Sequence, residues 1–311
     1  ILSTFGWSSA ATGAALSIQR SESGLNSPFV GTVIKKFGPK RVMAFGILLT
    51  GGSFIWMSRM QSLWEFYCAI TILTLGMSFG TFIIFVAVVG NWFNKNKRKL
   101  PWRNTKDPYK IWISEVMLQQ TKVETVIPYY IKWIIKFPTI EDVAKSQTDL
   151  LLKYWEGLGY YRRCINFQKS CQILFHEKNA KVPRNLDEFL KLPGVGLYTA
   201  SAVLSIAYNY PIPLIDGNVN RVISRVLALN NVIKGNKNSF IIFLNKIIPK
   251  KTPGTFNEAL MELGSQICKN INPLCFDCPI NSFCKSKMMG VQKKFPKKIK
   301  AKSVPLIKVV T

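Results

Sequence analysis

The sequence predicts a mainly α-helical protein built from two unlike parts, and three observations carry that reading. Long uncharged apolar runs fill much of the first ninety residues. From Asn91 onward, apolar residues recur at helical spacing in short segments punctuated by Pro, Gly and Asn, with no convincing run of paired strands. Charge divides at the same place: residues 91–311 hold 36 Lys/Arg against 14 Asp/Glu, a net +22 of the chain's +26. An excess of that size suits a polyanionic partner, nucleic acid first among them. A length of 311 residues allows two domains, or three small ones. The chain lacks an initiator Met, which reads as a truncated N-terminus.

Val42–Ser58 carries no charge between Arg41 and Arg59, and Phe66–Asn94 carries none between Glu65 and Lys95. Each is close to the length needed for a membrane span. Lys35, Lys36, Lys40 and Arg41 precede the first run, and Lys95, Lys97, Arg98 and Lys99 follow the second. The positive-inside rule then makes an out-and-back hairpin with both ends cytoplasmic. Ile1–Ile34 contains Arg20 and Glu22 and reads as a further helix lined for transport. The run from Gly31 to Arg41, GTVIKKFGPKR, resembles the loop between the second and third helices of major facilitator transporters. That resemblance covers about ninety residues, too few helices to transport anything alone.

The second part begins at Asn91–Leu100 with an abrupt rise in charge. Ile111–Gln120 reads as an amphipathic helix whose apolar run is interrupted by Glu115, either a surface residue or a buried functional acid. Further short helices are expected at Leu150–Tyr154, Ile165–Phe175, Leu186–Leu190, Val219–Leu229, Ser239–Ile248 and Asn257–Ile267. Cys164 and Cys171, one heptad apart, belong to a helix core. His176 is the one histidine and lies in a polar segment, so His-based triads and His-rich zinc sites are excluded. Acid–base chemistry therefore falls to carboxylates.

Between the helices Leu186–Lys191 and Leu197–Tyr208 stands the turn Leu192-Pro-Gly-Val-Gly196. Its glycines permit the tight backbone of a helix-hairpin-helix, and the second helix's first N–H groups are left to hold a phosphate. A plain connector between packed helices is the alternative. Asp216-Gly-Asn reads as a turn with an N-cap for the helix that follows. Cys268, Cys275, Cys278 and Cys284 lie on one seventeen-residue loop flanked by Lys269, Lys285 and Lys287. A zinc site more often uses two Cys-x2-Cys pairs, and only one is present, so an iron–sulfur cube is favoured over zinc or unligated thiols.

In order along the chain stand LPWR (100–103), SEVMLQQT (114–121), GLGYY (157–161), LPGVG (192–196), DGNV (216–219) and the four cysteines. Together they resemble the MutY-type adenine DNA glycosylases, helix-hairpin-helix repair enzymes with a [4Fe-4S] cluster, over roughly Asn91–Met289. The resemblance implies a six-helix domain at about 110–216 and an iron–sulfur domain from about 91–109 and 217–290. It implies a double-stranded DNA partner carrying A:8-oxoguanine or A:G mispairs, and a monomeric, bacterial-type cytoplasmic enzyme at the nucleoid.

Residue by residue, Glu115 matches the acid that protonates the adenine at N7, with Trp112 and Met117 expected to help raise its pKa. Asp216 matches the carboxylate that stabilises the oxocarbenium-like sugar. Asn218 matches a residue near sugar and phosphate. Tyr198 stands where bifunctional relatives such as endonuclease III carry a Schiff-base lysine, which implies a monofunctional glycosylase. Gln120 and Tyr160 match residues that push into the base stack beside 8-oxoguanine, with Gln119 adjacent, and Leu192, Gly194, Val195 and Gly196 match the DNA-binding turn. Glu258 matches a glutamate of the adenine pocket, which Arg103 adjoins. The four cysteines match the cluster ligands.

The sequence also departs from the family. A C-terminal domain resembling the Nudix hydrolase fold is usual, whereas here a Lys-rich linker (Gln292–Lys302) and one candidate strand (Ser303–Val310) end the chain. Weakened recognition of 8-oxoguanine is the expectation. The apolar first ninety residues are foreign to the family, and a joining of two genes near Asn91–Lys97 is favoured over a membrane-tethered enzyme. The other readings left are an endonuclease III-like glycosylase-lyase and a non-catalytic, membrane-tethered DNA-binding module.

Overall fold

The computed structural model describes residues 6–10, 12–14, 17, 32–34, 36–80, 82–229 and 237–296. The chain divides into two compact units, Ile1–Asn96 and Lys97–Thr311. The division falls six residues after the change in composition, because the last helix of the first unit continues through Asn91 to Asn96 before the charge run ends it. The helix expected over Ile1–Ile34 and the strand at Ser303–Val310 lie largely or wholly outside the described residues.

The first unit contains α1 (Pro39–Met57), α2 (Leu63–Gly80) and α3 (Phe82–Asn96). The Glu65 carboxylate accepts hydrogen bonds from the backbone N–H groups of Gln61 (2.7 Å) and Ser62 (3.0 Å), capping the start of α2. Helices α1 and α2 pack together, yet α1 leaves Phe45, Leu48 and Ile55 exposed. The stretch Leu63–Asn96 is long and apolar enough to cross a membrane by length and composition, and α1 from Arg41 is a shorter apolar helix.

Among the described residues of the second unit every regular element is helical: α4 (Pro108–Leu118), α5 (Val123–Lys136), α6 (Ile140–Lys145), α7 (Thr148–Trp155), α8 (Arg162–Glu177), α9 (Leu186–Leu190), α10 (Leu197–Tyr208), α11 (Gly217–Leu227), α12 (Lys237–Ile247), α13 (Pro253–Gln266) and α14 (Lys285–Met288), with short 3-10 turns between some of them. The expected helices are all present, shifted by a few residues at their ends. Helix α5 was hidden in the sequence by Pro128, which sits inside it, and α6 by its length of six residues.

Two helices form the spine. Residues Ile111–Met117 of α4 and Thr199–Ile206 of α10 are buried, and the two helices pack together. On the far side of α4, Trp112 meets Phe167 and Phe189 edge-on, and Trp133 meets Phe137 at a tilt and Trp155 edge-on. Buried aromatic clusters of this kind contribute well beyond simple area burial. Cys164 and Cys171 sit in the core of α8, as their spacing predicts. Helix α13 packs on α10 and α11 and so closes the other side of the spine.

Candidate active site

Four carboxylates line one cavity of about 200 Å³ between α4, α10, α11 and α13: Glu262 and the three acids that the sequence points to. Glu115 enters from α4, Asp216 from the cap of α11, and Glu258 from α13. Glu115 is 4% exposed, so the surface alternative for it is gone. Its Oε2 accepts a 2.7 Å hydrogen bond from the hydroxyl of Tyr198, whose oxygen also lies 3.7 Å from the Met261 sulfur. Burial pushes Glu115 up to about 7, the Tyr198 hydrogen bond works against that rise, and Glu258 and Asp216 add to it. The apolar walls of the cavity come from Ile111, Leu118 and Met261. Trp112 does not supply them, because it turns to the aromatic core on the opposite face of α4.

Asp216 is the N-cap of α11, as its turn predicts. Its Oδ1 accepts from the Val219 N–H at 2.6 Å, and its Oδ2 accepts from the Asn218 side chain at 2.8 Å. Asn218 is held in turn by Arg221, whose Nη2 donates to its Oδ1 at 2.8 Å. The cap therefore also aims a carboxylate.

Arg103 lines the same cavity and links two acids of α13. Its Nη2 lies 2.7 Å from Glu262 Oε2 and its Nε 3.6 Å from Glu258 Oε1. Burial raises Glu258, with Arg103 opposing. Glu262 is also held by Arg98, at 2.8 Å from Nε and 3.0 Å from Nη2. Burial alone would raise Glu262, but the hydrogen bonds from Arg98 and Arg103 prevail and hold it at about 2. Sequence reasoning missed Glu262 and Arg98. The four-residue spacing from Glu258 placed Glu262 on the same helix face; Arg98, 164 positions away, gave no signal.

The helix-hairpin-helix turn joins α9 to α10. Leu192 and Val195 are buried and anchor the turn. Gly194 has φ 75°, and a Cβ there would come within 2.8 Å of the Asn166 Cβ, so glycine is required on both counts. Gly196 is the N-cap of α10, exposed beside Gly194 and Leu197. Gln119 bonds Thr199 at 3.3 Å and stands apart from the carboxylate cavity. Gln120 and Tyr160 lie on two exposed loops, both with left-handed backbone (φ 59° and 49°). Tyr160 is 63% exposed, which removes the reading of a core aromatic.

The four loop cysteines share a second cavity, also lined by Val222, Leu263 and Ile280. None forms a disulfide. Burial pushes Cys278 up to about 12 and raises Cys284. Arg225 Nη1 donates to Cys268 Sγ at 3.3 Å, placing a cation against the sulfur. Among the described residues no three of His, Cys, Asp and Glu are gathered tightly enough for a single metal ion. The four thiols are gathered around one cavity.

By its fold, the second unit is similar to mainly helical helix-hairpin-helix glycosylases. Residues 113–242 match the HhH-GPD superfamily base excision DNA repair protein model. A thermostable thymine-DNA glycosylase structure is 28% identical, with TM-score 0.62 over 67% of this chain and 97% of that one. A trapped endonuclease III–DNA covalent intermediate is 27% identical, with TM-score 0.57 over 66% of this chain and 94% of that one. Within the class, the chain is similar to adenine DNA glycosylases. That of Buchnera aphidicola subsp. Acyrthosiphon pisum is 39% identical over 225 residues, covering 71% of this chain and 64% of the relative. The Homo sapiens enzyme is 37% identical over 212 residues, 63% of this chain and 38% of the relative. The chain thus spans less than two thirds of the length of these curated relatives.

Proposed function

We propose that the second unit is a monofunctional adenine DNA glycosylase acting on adenine mispaired with 8-oxoguanine or guanine. The observation that carries this reading is Glu115, an acid buried in a 200 Å³ cavity, held up near 7 and facing a second carboxylate. Such an acid is still protonated near neutrality and can give its proton to a poor leaving group.

The target adenine must leave the duplex to reach the cavity, at about a few kcal/mol of unstacking. Glu115 then donates its proton to N7, and the C1′–N9 bond breaks with its electron pair passing to the base. Asp216, fixed by its cap, stabilises the positive charge on the sugar, and water completes the abasic site. Tyr198 offers a phenol where a lyase needs an amine, so it forms no Schiff base. Its hydroxyl hydrogen-bonds the Glu115 carboxylate, so that deprotonated Glu115 is supported between turnovers.

The four cysteines would hold a [4Fe-4S] cluster. Bound there, it would tie the 268–284 loop and its lysines into one rigid basic element and contribute no step of base removal. Protein purified without air should be brown with four iron atoms per chain by metal analysis; a colourless protein holding one zinc atom would overturn the assignment.

The full chain should release free adenine from a duplex carrying A opposite 8-oxoguanine. Glu115→Gln should lower the single-turnover rate by about 10²–10⁴-fold. The parent rate should fall by about tenfold per pH unit above about 7, as the acid is lost. Undiminished excision by Glu115→Gln would remove Glu115 from the role, and high-yield borohydride trapping of a protein–DNA adduct would favour the lyase reading.

A further inference from the structure

One side chain ties together two loops that the chemistry does not use directly. Arg163, at the start of α8, sends Nη1 to the carbonyl oxygens of Val116 (3.0 Å), Met117 (2.9 Å) and Gln119 (2.5 Å). Its Nη2 donates to Thr121 Oγ1 (3.2 Å) and to the carbonyls of Leu158 (3.1 Å) and Gly159 (3.1 Å). The same guanidinium lies over the rings of Trp155 and Tyr160, at 5.4 and 5.5 Å from their centroids. One planar group therefore holds the C-terminal carbonyls of α4 and the loop at 157–160 at a fixed separation. An exposed residue with left-handed backbone stands on each side, Gln120 and Tyr160.

Both features need an explanation. Left-handed backbone at non-glycine residues costs roughly 1 kcal/mol or more each and persists only where its surroundings hold it. The carbonyls at a helix end lack intrahelical donors and favour a cation. Arginine meets both needs, because its fork presents several donors in one plane, whereas a lysine ammonium could reach only part of this set.

We propose that Arg163 is a positioning residue that locks Gln120 and Tyr160 into a single two-pronged wedge, so that extrusion of the base, and not bond cleavage, depends on it. This rests on the glycosylase reading above. Unstacking a paired base requires prongs that do not yield, and a prong free to relax returns that energy to its own loop. A duplex in which the adenine faces an abasic site has already lost its pairing partner and asks less of the wedge.

The test uses the full chain and Arg163→Lys, with two duplexes: adenine opposite 8-oxoguanine, and adenine opposite a tetrahydrofuran abasic analogue. Arg163→Lys should lose about tenfold or more on the mispair, lose about threefold or less on the abasic duplex, and keep the parent's pH midpoint. Hydrogen exchange on the protein alone should quicken at residues 118–121 and 157–160 together. Equal losses on the two duplexes, a moved pH midpoint, or loosening of one loop only would overturn the proposal. Should Arg163→Lys fail to fold, Thr121→Val removes a single acceptor and should show a smaller loss with the same preference between duplexes; a loss without that preference overturns it too. If the parent releases no adenine from either duplex, the glycosylase reading fails, and the exchange result alone decides whether Arg163 couples the loops.

Discussion

At the scale of the residue, burying Glu115 trades stability for chemistry. A carboxyl held near 7 in the fold, against an ordinary value of 4.5, binds its proton more tightly folded than unfolded. Its favourable contribution is therefore complete at low pH and is lost as pH rises through 7, where the fold must carry a buried charge. Glu115→Gln keeps the shape and removes the titration. The variant should melt above the parent, with the gap widening between pH 5 and pH 8 to at most about 3 kcal/mol. Thermal denaturation at the two pH values checks this, and a gap that narrowed as pH rose would contradict the burial argument. Little of this was legible beforehand. The motif marked Glu115 as an acid, but its hydrogen bond to Tyr198 joins residues 83 positions apart. Tyr198 was read as a lysine's absence, and the fold adds a positive role: it touches the acid.

At the scale of the element, the site is mounted on helix ends. Asp216 caps α11, Gly196 starts α10, and the Gln119–Thr121 turn closes α4. Helix ends carry unsatisfied backbone groups, and the residues that satisfy them are fixed in direction while remaining outside the helix. Such positions were readable because caps and glycine turns have local signatures, which is why α10 matched its expected bounds from Leu197 to Tyr208. What joins the elements was not readable. Arg163 is bonded mostly to backbone carbonyls, which leave no mark in the residue pattern. Cap and chemistry can also be separated at Asp216. Asparagine caps helices about as well as aspartate but carries no charge, so Asp216→Asn should change stability by about 1 kcal/mol or less. It should slow adenine release by about 10²-fold or more, through loss of the charge facing the sugar. Denaturant melts and single-turnover rates measured on one preparation test the pair; equal collapse of both would make Asp216 structural only.

At the scale of the molecule, the two units place the boundary between what the site needs and what it does not. The carboxylates, Tyr198, the turn and the four cysteines all belong to Lys97–Thr311. The unit's first residues still matter, since Arg98 contributes its guanidinium and its backbone N–H (3.1 Å) to Glu262, and Arg103 adds a further contact. Glu262 has a side chain only 1% exposed, so it is an ionised acid kept inside by those two arginines. Its contribution is present above the ordinary carboxylate range and is lost as pH falls toward 2. Removing both partners would leave an uncompensated buried charge, a change that costs about 3–5 kcal/mol where it has been measured. A chain cut to residues 97–311 should therefore fold and release adenine as the full chain does. A chain cut to 104–311, shorter by seven residues, should be unstable at neutral pH. Adding Glu262→Gln to the shorter chain should recover part of the loss by removing the charge itself. Circular-dichroism melts of the three chains decide it, and a stable 104–311 chain would show that the arginine pair is dispensable.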